Sequence, residues 1–152
     1  MKLHAIVAAA LAAACLAAPA APSFAADAAK KPAAAKKAVK YKVVFQVSDA
    51  DPGKWNLALN NARNVQTDLG KDNVQIEIVA YGPGLGMLKG ESKVADRLAQ
   101  AMDDGIGLMA CENTMKNTHV TKADMYSGIS YVDAGVVHIM KRERQGWNYI
   151  RP

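Results

Sequence analysis

Short apolar runs alternating with segments of helical spacing restrict the fold of this chain more than any other feature. Tyr41–Val47 is β-rich, Val74–Ala80 reads as a second strand with alternation at its start, and Gly105–Ala110 has the length and apolar character of a buried strand. The first is followed by the turn-forming cluster Ser48-Asp49-Ala50-Asp51-Pro52-Gly53. Then Trp55, Ala58, Leu59, Ala62, Val65 and Leu69 recur at helical spacing, and Gly70 acts as a stop. After the second strand comes a glycine-rich loop from Tyr81 to Gly90, and then a helix marked by Val94, Leu98, Ala101 and Met102. Strands separated by helices pack as a parallel sheet with both faces covered.

The last third is less regular. Glu112 to Thr118 reads as a short helix, and Thr121-Lys122-Ala123-Asp124 has the form of a capping sequence for a further turn. Ile129–Val132 is a short strand. Asp133 is placed to cap a helix through Val136, Val137, Met140 and Glu143, which stops at Gly146, and Trp147–Ile150 is a final strand. Five strands predict an α/β fold: a flavodoxin-like, doubly wound parallel sheet of order 2-1-3-4-5. In that order the crevice lies between the carboxyl ends of strands 1 and 3. The Ser48–Gly53 loop and Cys111 would both open onto it.

Ahead of this domain the composition changes. Residues 1–25 have a short basic start, an alanine-rich apolar run and a Ser23-Phe24-Ala25 ending, the pattern of a secretory signal cut after Ala25. A lipoprotein cut before Cys15 is the alternative, with Ala12 where such signals usually carry leucine. The apolar run is too short for a membrane span, so the expectation is a periplasmic protein with no stable membrane insertion. Residues 26–40 form an Ala/Lys-rich flexible leader, with weak attraction to an anionic membrane surface as the other reading. Residues 41–152 form the α/β domain. Of the 19 Lys and Arg, one precedes Ala26 and five lie in the leader; of the 14 Asp and Glu, only Asp27 precedes Tyr41. Thirteen basic residues therefore face thirteen acidic ones in the domain, which argues against a nucleic-acid partner.

Cys111 stands where the third apolar run meets the polar Glu112-Asn113-Thr114. A helix starting there would aim unpaired N–H groups at the sulfur and favour the thiolate. The other reading is a small buried hydrophobe. Lys54 or Lys116 would favour a thiolate if close; Asp49, Asp51 and Glu112 would oppose it. Once Cys15 leaves with the signal, Cys111 is the chain's sole cysteine, so no internal disulfide can form. Other chemistries find less support. Gly82, Gly84 and Gly86 fit neither phosphate-loop spacing. His119 and His138 lack metal-ligand spacing, so no metal and no cofactor is expected. Ser48, Ser127 and Ser130 lack the context of a hydrolase nucleophile. Trp147 and Tyr149 read as packing residues.

Tyr41–Pro152 resembles the DsrE/DsrF family of small sulfur-relay proteins. The resemblance rests on the opening strand with its Asp-bearing loop, the Tyr81-Gly82-Pro83-Gly84 turn, and Ala110-Cys111-Glu112-Asn113-Thr114-Met115. Ala134-Gly135-Val136-Val137 and the ending Gln145-Gly146-Trp147-Asn148-Tyr149-Ile150-Arg151-Pro152 complete it. It implies a flavodoxin-like domain, assembly as a homo-oligomer of three or six, and a cysteine that carries sulfur as a persulfide. Only Cys111 maps onto that role. The crevice residues expected to bind substrate are Asp49, Asp51, Asn113 and Thr114. The family's characterised relays are cytoplasmic, and this chain departs from them in its export signal. The function expected is a periplasmic carrier that moves sulfane sulfur from a donor protein to an acceptor thiol. That is group carriage more than turnover, so whether it is an enzyme stays open. The alternative is a non-catalytic small-ligand-binding or assembly module with a structural cysteine.

Overall fold

A computed structural model describes residues 39–152. The signal-peptide reading of 1–25 and nearly all of the 26–40 leader lie outside the described residues.

The first strand, β1 (Tyr41–Val47), leads to helix α1 (Pro52–Leu69). Asp51 caps α1, its carboxylate accepting the Gly53 N–H at 2.7 Å, and Pro52 fills a first-turn position that needs no N–H donor. Gly70 ends it with φ 85°, a left-handed backbone that side chains avoid. Then follow β2 (Val74–Ala80), α2 (Ala95–Asp103), β3 (Gly107–Cys111), α3 (Glu112–Asn117), β4 (Ser130–Val132), α4 (Gly135–Arg144) and β5 (Asn148–Ile150). The Tyr81–Gly90 segment, read from its glycines as a plain loop, contains 3-10 turns over Gly82–Leu88 that bury Leu85, Met87 and Leu88. Thr121 and Asp124 form the expected capping box around a short 3-10 turn.

All neighbouring strands are parallel, giving the doubly wound, flavodoxin-like α/β class expected from the sequence. Along the sheet the order is β4-β3-β2-β1-β5, so β2 stands between β1 and β3. The four connected strands β1 to β4 therefore advance in one direction. Right-handed crossovers in one direction leave their helices on one face. There Phe45, Ile76, Ile78 and Leu108 pack with Trp55, Ala58 and Leu59 of α1, Leu98 of α2 and Met115 of α3. To reach β5 beside β1, the chain must cross back, and α4 does so over the opposite face. There Ile139 and Trp147 cover Val44 and Val79. The connections after β3 and β4 thus leave toward opposite faces. The crevice lies between those two strand ends, not between β1 and β3.

Glu77, in the alternating first half of β2, points to the α4 face and is 3% exposed. His138 Nε2 lies 2.8 Å from Glu77 Oε2, and Arg142 donates to both carboxylate oxygens, from Nε at 2.8 Å and Nη2 at 2.6 Å. His138, a packing or surface residue by sequence, is one member of this ionic clamp.

Candidate functional site

A parallel sheet brings every strand's carboxyl end to one edge, and the loops of this domain meet there. Cys111 is the last residue of β3 and the first flanking residue of α3, the join that the sequence indicated. It is 4% exposed. Its sulfur accepts the N–H of Gly135 at 3.2 Å. Gly135 is the first residue of α4, so the sulfur takes one of the N–H groups that a helix start leaves unpaired. Asp133, expected to cap this helix, does not: the flanking residue is Ala134, with no side-chain cap. Asp133 instead offers its carbonyl to the N–H of Asn113 at 3.0 Å, which ties the end of β4 to the start of α3.

The Tyr81–Gly82 turn after β2 also closes around the sulfur. The Thr114 hydroxyl accepts the Gly82 N–H at 2.9 Å, so its own proton is free to turn to the sulfur. A Cβ on Gly135 would lie 3.0 Å from Tyr81 Cδ1, so the absence of a side chain lets α4 begin directly under the Tyr81 ring. Burial pushes the Cys111 thiol up. The Thr114 hydroxyl, the Gly135 N–H and the N–H groups of Thr114 and Asn113 pull it down and prevail, holding it below the ordinary thiol value. Of these donors only Gly135 meets full hydrogen-bond geometry. Tyr81 is raised, first by burial and then by Tyr149 and Cys111, with Arg151 opposing.

Among the sequence candidates, Asn113 and Thr114 stand beside the sulfur. Asp51 sits at the start of α1 with its carboxylate engaged there. Asp49 accepts the Trp55 indole N–H on its carbonyl at 2.7 Å, and its carboxylate lies 3.9 Å from Lys54 and 3.7 Å from Arg151. Those ion pairs are long and half exposed, and pairs of that kind contribute little. Neither Lys54 nor Lys116 contributes to lowering the thiol, and Glu112 is engaged by Lys122 at 2.9 Å. Hydrogen-bond donors, not lysines, favour the thiolate. Sequence reasoning missed Gly135, Tyr81 and Gly82 as neighbours of the sulfur; a glycine at the expected helix start was the available signal. Beside Ala134, on the outer side of β4 and α4, a cleft of about 240 Å³ is lined by Tyr131, Asp133, Val137, His138 and Lys141. Among the described residues no group of His, Cys, Asp and Glu is arranged to hold a metal ion, and no helix is long and apolar enough to cross a membrane.

The parallel five-stranded sheet fits a DsrE/YchN-like fold. Comparison with solved structures extends this. MTH1491 from Methanobacterium thermoautotrophicum, a protein of unknown function, is 35% identical, with a TM-score of 0.71 over 74% of this chain and 99% of its own. The chain belongs to the same family as MTH1491. BT1422 from Bacteroides thetaiotaomicron, a conserved protein of unknown function, is 16% identical, with a TM-score of 0.60 over 73% of this chain and 94% of its own. The ychN protein of E. coli is 11% identical, with a TM-score of 0.58 over 74% of this chain and 99% of its own; the last two share the fold. No protein-family model and no curated protein matches the chain.

Proposed function

We propose that this protein is an exported sulfur carrier of the DsrE type, acting in the periplasm. The Cys111 thiolate attacks the outer sulfur of a donor persulfide. A new S–S bond forms on Cys111, the donor's S–S bond breaks, and the donor thiolate leaves. An acceptor thiolate then repeats the exchange in the outward direction, so no net oxidation occurs. One observation carries this reading: Cys111 Sγ sits against the N–H of Gly135 at the head of α4, and its acidity is raised despite burial.

A second reading is favoured by the 4% exposure of Cys111. In it the sulfur only caps α4, and the domain is a binding or assembly module. Intact mass separates the two. After incubation with an inorganic polysulfide, the carrier reading expects the wild type to gain one sulfur atom per chain and Cys111→Ser to gain none. The rate of loading should rise through a midpoint below the ordinary thiol range of about 8.5. Because the thiol is depressed on folding, the stability contributed by the thiolate is present above the unfolded value and lost as pH falls through the folded one. A folded wild type that gains no sulfur would leave the capping reading standing.

The proposal includes self-association in threes or sixes, the assembly implied by the family resemblance. Val136, Val137 and Met140 form an apolar stripe on the outward side of α4, Met140 being 57% exposed, and a second copy would cover it. Light scattering is expected to give a trimer or hexamer at micromolar concentration; a monomer there would remove assembly from the proposal.

A further inference from the structure

Among the described residues Glu77 is the one charged side chain in the buried class, and burial of a carboxylate is costly unless each oxygen is satisfied. Here both are, by His138 and Arg142, and both partners belong to α4. Gly135, His138 and Arg142 follow one another at three and four residues, so they share one stripe of the helix. The first residue of that stripe donates to Cys111 Sγ. His138 is one turn further on, about 4.5 Å along the axis. At the far end, the Arg142 guanidinium stacks on Trp147, 4.7 Å from the ring centroid. Gly107, on the strand beside β2, leaves the space in which Glu77 lies: a Cβ there would stand 3.2 Å from Glu77 Cγ.

We propose that Glu77 is a positioning residue for Cys111: by gripping His138 and Arg142 from the centre of β2, it sets the depth and rotation at which α4 presents the Gly135 N–H to the sulfur. Its functional meaning rests on the carrier reading; its geometry does not. A local apolar contact such as Ile139 holds α4 on the sheet but tolerates sliding. A bidentate Arg–carboxylate pair fixes direction as well as distance.

The inference has a sign that distinguishes it from simple electrostatics. If Glu77 acted on the sulfur only through its negative charge, Glu77→Gln would make the thiol more acidic. If it acts through α4, the same substitution lets the Gly135 N–H drift from the sulfur, and the thiol becomes less acidic. The thiolate can be followed by its ultraviolet absorbance in the full chain, with Cys111→Ser as the blank, which needs no access for a reagent. Tyr81 is the ionisable neighbour from the end of β2; its phenol is raised, so it titrates above the thiol. The Glu77→Gln midpoint is expected to rise by about half to one pH unit, so that thiolate at a fixed acidic pH falls roughly three- to tenfold. Arg142→Lys keeps the charge but loses the fork, and should move the midpoint the same way by less. Ile139→Val loosens the same helix without touching the clamp and should leave the midpoint unmoved while lowering Tm. A midpoint that is unchanged or lower in Glu77→Gln overturns the inference, as does an Ile139→Val midpoint shifted as far. If Glu77→Gln does not fold, Arg142→Lys decides alone. A wild type that takes up no sulfur ends the carrier reading and leaves this comparison intact; a loaded wild type with unmoved midpoints ends this inference only.

Discussion

Gly84→Ala is expected to destabilise the domain by about 3 kcal/mol or more, lowering Tm by more than about 10 °C in a thermal melt followed by circular dichroism. The cause is backbone against backbone. A Cβ at Gly84 would lie 2.6 Å from the carbonyl carbon of Val47, closer still to its oxygen, and 2.9 Å from the Cα of Ser48. No rotamer relieves such a clash, because the obstructing atoms are the end of β1 itself. That end is held in turn by the Tyr81 N–H, which donates to the Val47 carbonyl at 3.1 Å. The chain must therefore lift the Tyr81–Gly84 turn away from β1. This moves Tyr81 off Gly135, and the Gly82 N–H off the Thr114 hydroxyl. The substitution should therefore also raise the thiol midpoint of whatever fraction stays folded. A melt within about 2 °C of wild type would show that β1 and the turn are not so closely apposed.

Glu77→Leu is expected to cost about 3–5 kcal/mol in urea or thermal unfolding, a loss out of proportion to one side chain. Leucine leaves the Arg142 guanidinium and the His138 ring facing an apolar sheet. Their side chains keep 26% and 18% exposure, so both can turn partly to water, which places the loss near the lower figure. The triple substitution Glu77→Leu, His138→Leu, Arg142→Met should recover most of it, to within about 1 kcal/mol of wild type, because an ion network and a well-packed apolar patch of like volume are close in free energy. If the clamp serves position rather than stability, the triple variant will be stable and yet show the raised thiol midpoint. A single Glu77→Leu that melts with wild type would mean that the carboxylate makes no net contribution.

Much of this domain was legible in its sequence, and the boundary between what was and what was not is physical. Tyr41–Val47 and Val74–Ala80 were read to the residue, because β-branched runs bounded by turn residues are local signals. The spacing of Trp55, Ala58, Leu59 and Ala62 identified α1 and the face it buries. Cys111 was placed at its strand-to-helix join. The lateral order of the strands was less accessible, because nothing within a strand states which neighbour lies beside it; that depends on which face each connection covers. Glu77 was not singled out in the sequence for the same reason. Nothing beside it in sequence points to its partners, which lie 61 and 65 residues away. The start of α4 was missed because a side-chain cap was sought at Asp133, whereas the N–H concerned finds a sulfur from another element.

The two outermost strands of the sheet, β4 and β5, are three residues long, against seven for β1 and β2. An edge that short offers few open N–H and C=O groups to a strand from another molecule. Lateral growth of the sheet by strand addition is therefore poorly templated on either side. An encounter between two copies of this domain therefore finds little open strand to pair with at either end of the sheet.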